Sequence, residues 1–548
     1  MYAFPWRRSR TPRRIRHTSC HPNPAPWKTG AAASSAEWHR PPPPENTHEP
    51  RGLPPEQHPG RGETAMKPSL ETAALATLAA LGLGLIAAPY GMGVIFEHQY
   101  QEALSRWAEA SGLKVDIANY QRGWFTSEAR LAAHLSPPYS PAGTGARAMV
   151  LNIHQRIEHG PLYSSTGTAL GGALAVVTST LTLPPQISKA LTGVLEKQAV
   201  AGASTVVALD STSRTELELA AFSRPYSNGA DTLAWHGMRG TLAITEGGTR
   251  IVFRARAPGL DIRTSEGQHV TLKGLRLRGD YRRGAHELWL GKTHWTLRLF
   301  DAGGLPGSAG GIALEKLTLT AWSSAQGDSQ DSLNSGLKIA FDKLVAGGRS
   351  LDTGLLDLEL RKLDAATVAL MNKEMKRLRT RGASPQDVPG PPVQLLQQAV
   401  PRLLARSPEL DLKRLAFTTD QGAVNGRLLL TVDKAENLSL APQDLPLLLN
   451  KVRLEAELTL PVNMLRDRLT TPIRQRLMNR QDPWSAQSSV SDADIARAVR
   501  QQLAMLEGKG YLIRRGTQYQ SRLRFKAGRL TINNHPADDV IGMVMMGR

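Results

Sequence analysis

Two carboxylates in this sequence have a spacing that could support hydrolysis. Asp357 and Glu359 stand two positions apart in LLDLELRKL. On a strand this spacing places both on one face, about 7 Å apart, within the range that an inverting glycosidase uses between its acid and its base. Leucines alternate with the two acids, so the simpler interpretation is the solvated face of an amphipathic strand. Catalysis by this pair stays open only as a remote alternative.

Other motifs that bind nucleotides or metals begin in this sequence but are incomplete. The run Gly291–Thr293 resembles the end of a phosphate-binding loop, but His286 stands where that loop requires glycine. His286 and the glutamate after it open a zinc-protease motif, but Leu290 occupies the place of the second histidine ligand. The spacing of His154 and His159 aligns them on neither a strand nor a helix. The sequence therefore predicts no catalytic residue, metal or cofactor, and it favours a non-enzymatic protein.

Basic side chains alternate along three segments and so gather on strand faces. Residues two positions apart share one side of a strand, and guanidinium groups bind phosphate oxygens through paired hydrogen bonds. These segments predict a face for an anionic ligand, such as a lipid headgroup or another envelope polyanion; an ordinary solvated face is the alternative. The residues are Arg254, Arg256, Arg276, Arg278, Arg522, Arg524 and Lys526.

The whole chain is basic as well. Its 548 residues include 67 Lys and Arg against 48 Asp and Glu, a formal charge of +19, which indicates a polyanionic partner. Its only cysteine is Cys20, so an intrachain disulfide and zinc sites with two cysteine ligands are excluded.

The N-terminal part predicts a membrane anchor. Residues 1–65 are rich in Pro, Arg and His, and we expect a disordered extension or a mis-annotated start ahead of Met66. Within the predicted anchor, residues 66–98, the stretch 72–96 has no charge and exceeds the roughly 20 residues that a transmembrane helix needs. Flanking basic residues predict a cytoplasmic N-terminus. We therefore expect a single-pass protein of the bacterial inner membrane with residues 99–548 in the periplasm, away from nucleic acid; cleavage of the helix as a signal peptide is the alternative.

Alternation with period two dominates the chain after the predicted anchor. In VRLEAELTL, residues 452–460, apolar and polar positions alternate along the whole stretch, which is typical of a strand with one dry and one wet face. Capping residues begin a few helices, at Asp364 and at Ser491 with Asp494. The predicted fold class is α+β and β-dominated, with long antiparallel sheets and a few interrupting amphipathic helices. The body is one unit, or two with a boundary near 365–408.

The stretch NYQRGWFTSEARL places two large rings side by side in a chain with only 5% aromatic residues. Alternation from Tyr120 places Arg122 and Trp124 on one strand face, with Gly123 and Phe125 on the other. We expect the two rings to pack against two different surfaces, and this stretch to be the docking point of the first strand.

Three local signatures resemble the YdgA-like family of bacterial proteins of unknown function. They are this stretch, the EHGPLY segment, and the C-terminal GYLIRRGTQYQSRLRFKAGRLTINNHP, in which asparagine stands at a turn position where the family commonly has glycine. The matching positions are Tyr120, Arg122, Gly123, Trp124, Phe125, His159, Gly160, Pro161, Gly510, Tyr519 and Asn533. The resemblance implies a membrane-anchored envelope protein and no established reaction or ligand.

These features favour an anchored periplasmic protein that binds or organises envelope components, with lipid or another amphiphile as the expected ligand. The alternative is a structural or assembly factor that binds protein partners or itself through exposed strand edges. A cell-wall hydrolase is the remote alternative.

Overall fold

The computed structural model describes the chain from residue 87 to residue 538 with several gaps. No helix among these residues is long and apolar enough to cross a membrane. The predicted extension and the first part of the predicted anchor lie outside the described residues. The described ranges are 87–102, 104, 114–135, 149–164, 170–182, 201–210, 212–226, 231–304, 310–327, 329–380, 393–434, 445–479 and 491–538.

Strands dominate the described residues. The first twelve are β1 (Lys114–Arg122), β2 (Thr126–Leu135), β3 (Met149–His159), β4 (Leu162–Ser164), β5 (Leu170–Gly172), β6 (Ala175–Thr182), β7 (Ala201–Val207), β8 (Ser213–Leu219), β9 (Phe222–Tyr226), β10 (Asp231–Trp235), β11 (Met238–Thr245) and β12 (Arg250–Arg263). The others are β13 (His269–Arg283), β14 (Trp289–Gly303), β15 (Ile312–Gln326), β16 (Ser332–Ala346), β17 (Arg349–Asp364), β18 (Glu409–Thr419), β19 (Gly422–Val432), β20 (Val452–Pro461), β21 (Ile513–Arg515), β22 (Gln518–Lys526), β23 (Arg529–Ile532) and β24 (His535–Pro536).

Helices occur at the ends of the sheet and between its strands. They are α1 (residues 87–102), α2 (Ala365–Thr380), α3 (Val393–Leu404), α4 (Leu445–Lys451), α5 (Val462–Asn479) and α6 (Asp492–Gly508), with single 3₁₀ turns at Glu246–Gly248 and Ala285–Glu287. Both predicted caps are confirmed: the Thr367 N–H donates to the Asp364 carboxylate at 2.8 Å, and the Asp494 N–H donates to Ser491 Oγ at 3.2 Å.

One antiparallel sheet contains 22 of the strands. Hydrogen bonding connects them in the order β1-β2-β3-β6-β7-β8-β11-β12-β13-β14-β15-β16-β17-β18-β19-β20-β22-β23-β24. The hairpin β9–β10 pairs with the second half of β12, β21 pairs with the start of β22, and β4 with β5 forms a small separate sheet. The predicted β-dominated antiparallel fold is confirmed, and one large sheet replaces the several that were expected. Since β17 pairs with β18, this sheet continues across residues 365–408.

Alternation gives the central strands, β12 to β19, two different faces. Along one register row, Leu277, Trp295, Leu319, Ile339 and Leu356 are successive partners on neighbouring strands. We call their side the apolar face. The positions between them carry mainly charged residues and threonines on the opposite side, the polar face, because successive side chains of a strand point in opposite directions.

Helices cover the sheet mainly near its two ends. In the N-terminal core, Phe96 of α1 packs with Ile157 of β3 and Val207 of β7. In the C-terminal core, Val499 of α6 packs with Tyr519 of β22 and with residues of α5. Burial of these apolar side chains against helices stabilises both ends.

The RGWF stretch is a hairpin turn, so its interpretation as a strand interior is wrong. Arg122 ends β1, Thr126 begins β2, and the Gly123 N–H donates to the Thr126 carbonyl at 2.8 Å. A Cβ at Gly123 would lie 2.6 Å from that carbonyl oxygen, so glycine permits the tight closure. Trp124 and Phe125 are 49% and 55% exposed at the tip and do not anchor two packing surfaces; the turn interrupts the alternation on which that expectation depended.

Candidate functional site

Four of the predicted basic residues converge on the polar face. Arg254 lies directly opposite Arg278 across β12 and β13, and Arg256 lies directly opposite Arg276. Neighbours on a strand face are about 7 Å apart along the strand, and adjacent strands are about 4.8 Å apart. The four guanidinium groups therefore form a compact cationic cluster on two long strands.

None of these four arginines has an ion-pair partner in the described part of the chain, whereas their neighbours do. Arg214 pairs with Glu216 at 3.2 Å, and Arg239 pairs with Glu218 at 2.8 Å. Since direct cross-strand opposition of like charges destabilises a sheet, the cluster is an arrangement that a bound anion would relieve.

The cluster lies in a concave part of the polar face that we call the arginine trough. One cavity of about 1020 Å³ contains all four arginines, and a second of about 830 Å³ shares Arg256 and Arg276 with it. The first cavity is lined by strands from β6 to β14, and the second by strands from β8 to β15. The trough also contains hydroxyl and imidazole groups that could donate or accept hydrogen bonds: Thr241, His294 and Thr296.

The positive charge of the trough affects the pKa of His294. It is the register partner of Arg278, and its Nδ1 lies 2.9 Å from Thr320 Oγ1. Burial, and then the positive charges of Arg278 and Lys292, lower the pKa of His294 below its ordinary value. Histidine at this position is therefore disposed to be neutral and to accept or donate single hydrogen bonds.

The second predicted basic set lies elsewhere on the sheet, and its two arginines are paired with carboxylates. Arg522 contacts Glu457 at 2.5 Å and Arg524 contacts Glu455 at 3.8 Å, both across β20 and β22. Lys526 lies opposite Arg453 in the same pairing. Carboxylates already occupy the two arginines here, so we restrict the candidate anion site to the trough.

Lysines neutralise the two carboxylates considered for catalysis. The carboxylate of Glu359 lies 2.5 Å from Lys413 Nζ and that of Asp357 lies 3.8 Å from Lys338 Nζ. Among the described residues no group of three His, Cys, Asp or Glu side chains could hold a metal ion. The arrangement around the two acids is that of paired charges on a strand face.

The family signature near the N-terminus joins α1 to the first hairpin. Arg122 donates to Glu97 of α1 at 2.7 Å, and its guanidinium lies 5.2 Å from the centre of the Tyr90 ring. Trp124 packs on the same Tyr90 ring with 4.9 Å between centroids. On β1, Tyr120 lies 5.9 Å from Tyr100 of α1. These residues fix the helix on the sheet.

A serine and a histidine meet beneath this helix. Ser127 Oγ lies 2.8 Å from His159 Nε2, and His159 Nδ1 lies 3.3 Å from the Trp124 carbonyl. The carbonyl can only accept, so Nδ1 carries the proton and the Ser127 hydroxyl donates to Nε2. Both residues are buried, and burial is the main reason that the pKa of His159 lies below its ordinary value. Neither trough cavity includes this pair, which lies instead between the first strands and α1.

Two glycines make room around His159. A Cβ at Gly93 of α1 would lie 2.4 Å from the His159 ring, and a Cβ at Gly160 would lie 1.7 Å from the Ala173 carbonyl oxygen. The Gly160–Pro161 peptide that follows is cis. Close backbone approach explains why the His-Gly-Pro signature carries glycine at this position.

The C-terminal signature closes the far end of the sheet. The Asn533 side chain donates to the Gly510 carbonyl at 2.9 Å and accepts from the Arg522 N–H at 2.7 Å. Asn533 has φ of +50°, a conformation that asparagine tolerates better than most residues. The Tyr519 hydroxyl donates to Glu507 of α6. These contacts tie the last strands of the sheet to one another and to α6.

Sequence reasoning missed several residues of both regions. Thr241, His294 and Thr296 enter the trough through cross-strand register, and only the exact lengths of the turns could have indicated that register. Gly93 contacts His159 across 66 positions of sequence, and its only local signal is the GMG run in the apolar first half of α1.

Comparison with known proteins places these features in a family. No curated protein and no solved structure matches the chain. A family described as bacterial protein of unknown function (DUF945) matches residues 66–538. That range contains the helix–hairpin junction, the arginine trough and the C-terminal signature. The chain therefore belongs to this bacterial family of unknown function, DUF945.

Proposed function

We propose that the protein is a non-catalytic protein of the bacterial envelope that binds a phosphate-bearing amphiphile by its headgroup in the arginine trough. The observation that carries this proposal is the pair of opposed arginines on each of two rows, without a carboxylate partner in the described part of the chain. Guanidinium groups bind phosphate oxygens through short, charge-assisted hydrogen bonds. A phosphate group between Arg254 and Arg278 would remove the repulsion between them.

The dimensions of the trough favour a headgroup over a single small ion. Its larger cavity, about 1020 Å³, is at the upper end of the range of about 300–1,000 Å³ that is typical of small-molecule sites. The two arginine rows are about 7 Å apart. A headgroup with two anionic groups, or with one phosphate and several hydroxyls, would contact both rows and the threonines beside them.

The acyl chains of the proposed ligand do not bind in the trough. The apolar face is on the other side of the same strands, so one molecule does not contact both faces there. We infer that the acyl chains stay in the bilayer while the headgroup enters the trough. The membrane location is proposed from the charge-free stretch 72–96, and a YdgA-like membership within the family is proposed from the signatures at Arg122–Phe125 and His159–Pro161.

Calorimetric titration of the full chain in a non-ionic detergent tests the proposal. The probes are dioctanoyl phosphatidic acid, dioctanoyl glycerol and inorganic phosphate. We expect the protein to bind dioctanoyl phosphatidic acid alone, or to bind it more tightly than inorganic phosphate. The double variant Arg276→Ala/Arg278→Ala should weaken binding at least tenfold, since each hydrogen bond to a charged group contributes about 1.5–3 kcal/mol and about 1.4 kcal/mol is tenfold.

The matched control is Arg522→Ala/Arg524→Ala, which removes two arginines of the same spacing that already contact Glu457 and Glu455. It should leave the affinity unchanged. Equal affinity for dioctanoyl phosphatidic acid and dioctanoyl glycerol would refute recognition of the phosphate headgroup. Preference for inorganic phosphate would assign the trough to a soluble anion, and tighter binding of a single-stranded oligonucleotide would overturn the proposal.

A further inference from the structure

Apolar side chains are exposed on the outer face of α1. Its buried stripe is Pro89, Gly93 and Phe96, which face β1 to β3. The opposite side carries Tyr90, Val94 and Ile95, of which Ile95 is 53% exposed. The spacing of four between Tyr90 and Val94 places these two residues on one side of the helix. The exposed side of α1 is therefore apolar over residues 87–96 and becomes polar only after Phe96.

The hairpin tip adds two aromatic rings to the same region. Trp124 packs against Tyr90 of α1, and Phe125 beside it is 55% exposed. The turn between β7 and β8 lies at the same end of the strands as this hairpin tip, as the register through β2, β3 and β6 shows. Leu209 in this turn is exposed. Exposed apolar residues thus lie together at one end of the first strands, next to the start of the described chain.

We propose that this end of the strands is a foot that rests in the interfacial layer of a lipid bilayer, with the Phe125 and Trp124 rings at the level of the headgroups. The foot consists of Tyr90, Val94, Ile95, Trp124 and Phe125. Two observations identify the bilayer as its partner. The foot is continuous with α1, whose residues 87–96 belong to the charge-free stretch 72–96, and its aromatic residues are those that prefer membrane interfaces.

The foot is distinct from the trough. Tyr90, Val94 and Ile95 belong to the last part of the predicted anchor, whereas Trp124 and Phe125 add a second contact outside it. The foot shares the membrane location of the proposed function but not its ligand site. A single apolar helix would leave the sheet free to tilt about its end. A second contact at the hairpin tip would hold the edge with β1 against the bilayer, since Arg122 ties that tip to Glu97 of α1 at 2.7 Å.

Spin-label depth measurement on the full chain tests this inference. Replacement of the only cysteine, Cys20→Ser, permits a single nitroxide at Phe125→Cys or, independently, at Ile95→Cys. The protein is reconstituted into vesicles of phosphatidylethanolamine and phosphatidylglycerol, and collision rates with oxygen and with a water-soluble nickel complex are compared. The control is Ile312→Cys, an exposed position on β15 at the other end of the strands from the β7–β8 turn.

We expect oxygen collisions to exceed nickel collisions several-fold at Phe125 and Ile95, and the reverse at Ile312. A label at Phe125 that is as accessible to nickel as the label at Ile312 would overturn the inference. Equal immersion of all three sites would also overturn it, because the contact would then be unspecific. Failure of the chain to associate with vesicles would reject the foot, while phosphatidic acid binding in detergent would still report on the trough separately.

Discussion

At the residue scale, the opposed pair Arg278 and Arg254 lowers the stability of the sheet. Their direct opposition on β12 and β13 places like charges at a cross-strand position, where opposite charges stabilise by about 0.2–1 kcal/mol and like charges destabilise. A sequence selected for stability alone would place a threonine or an acid at one of the two positions. Residues that reduce stability commonly serve binding, as the general conflict between stability and function describes.

Substitution of one member should therefore stabilise the free protein. Arg278→Thr removes the repulsion and retains a strand-forming residue, so we expect the free energy of unfolding to rise by about 0.2–1 kcal/mol while phosphatidic acid affinity falls. Thermal denaturation with and without the probe measures both effects. The control Arg522→Thr removes the contact with Glu457 and should leave stability unchanged or lower it slightly. A less stable Arg278→Thr protein would show that the arginine contributes to folding.

Two glycines of α1 allow a sharp comparison at the element scale. A Cβ at Gly93 would lie 2.4 Å from the His159 ring, whereas a Cβ at Gly91 meets no atom within 4 Å. The His159 ring is held by Ser127 and by the Trp124 carbonyl, so it has little freedom to move away. Packing of α1 on the sheet thus depends on the absence of one methyl group at Gly93.

We expect Gly93→Ala to destabilise the protein by about 1–3 kcal/mol, because overpacking forces neighbours from their positions. Gly91→Ala should stabilise it by about 0.5–1 kcal/mol through helix propensity alone. Urea denaturation, followed by tryptophan fluorescence, measures both variants. Equal effects of the two substitutions would mean that α1 is not held against His159.

Elements with strong local signals were predictable from the sequence, and those fixed by distant contacts were not. Alternation predicted β17 and β20, and the caps predicted the starts of α2 and α6. The hairpin at Gly123 was missed because its two rings and an arginine continue an apparent alternation. The arginines of the trough were found, since residues two apart share a face, but their opposition was not, since register depends on the turns.

In the described part of the chain, the two largest cores lie at the ends of the sheet, and a smaller one around Leu333 lies between them. Ile157 in the N-terminal core and Val499 in the C-terminal core are 0% and 1% exposed. On the apolar face of the central strands, Trp295 is 41% exposed. Because apolar burial is the main source of stability, the two ends should open separately and the protein should not unfold in a single transition.

Ile157→Ala and Val499→Ala test this independence. Removal of a fully buried side chain of this size costs about 2–5 kcal/mol for Ile→Ala, and the smaller valine should cost less. We expect Ile157→Ala to accelerate hydrogen exchange in β1–β8 and not in α5 and α6, and Val499→Ala to do the reverse. The effects of distant substitutions should add in the double variant. Faster exchange at both ends in either single variant would indicate one cooperative unit.

The meander of neighbouring strands also determines the order in which the sheet can form in time. Most strands pair with the one made just before them, and the segments between the other paired strands carry helices or the small hairpins β4–β5 and β9–β10. Such local pairing lowers the entropy lost in closing each loop. A chain that emerges N-terminus first from a narrow exit can thus add one hairpin at a time to a growing edge, and the trough, whose last lining strand is β15, is complete before β16 and the strands after it have been made.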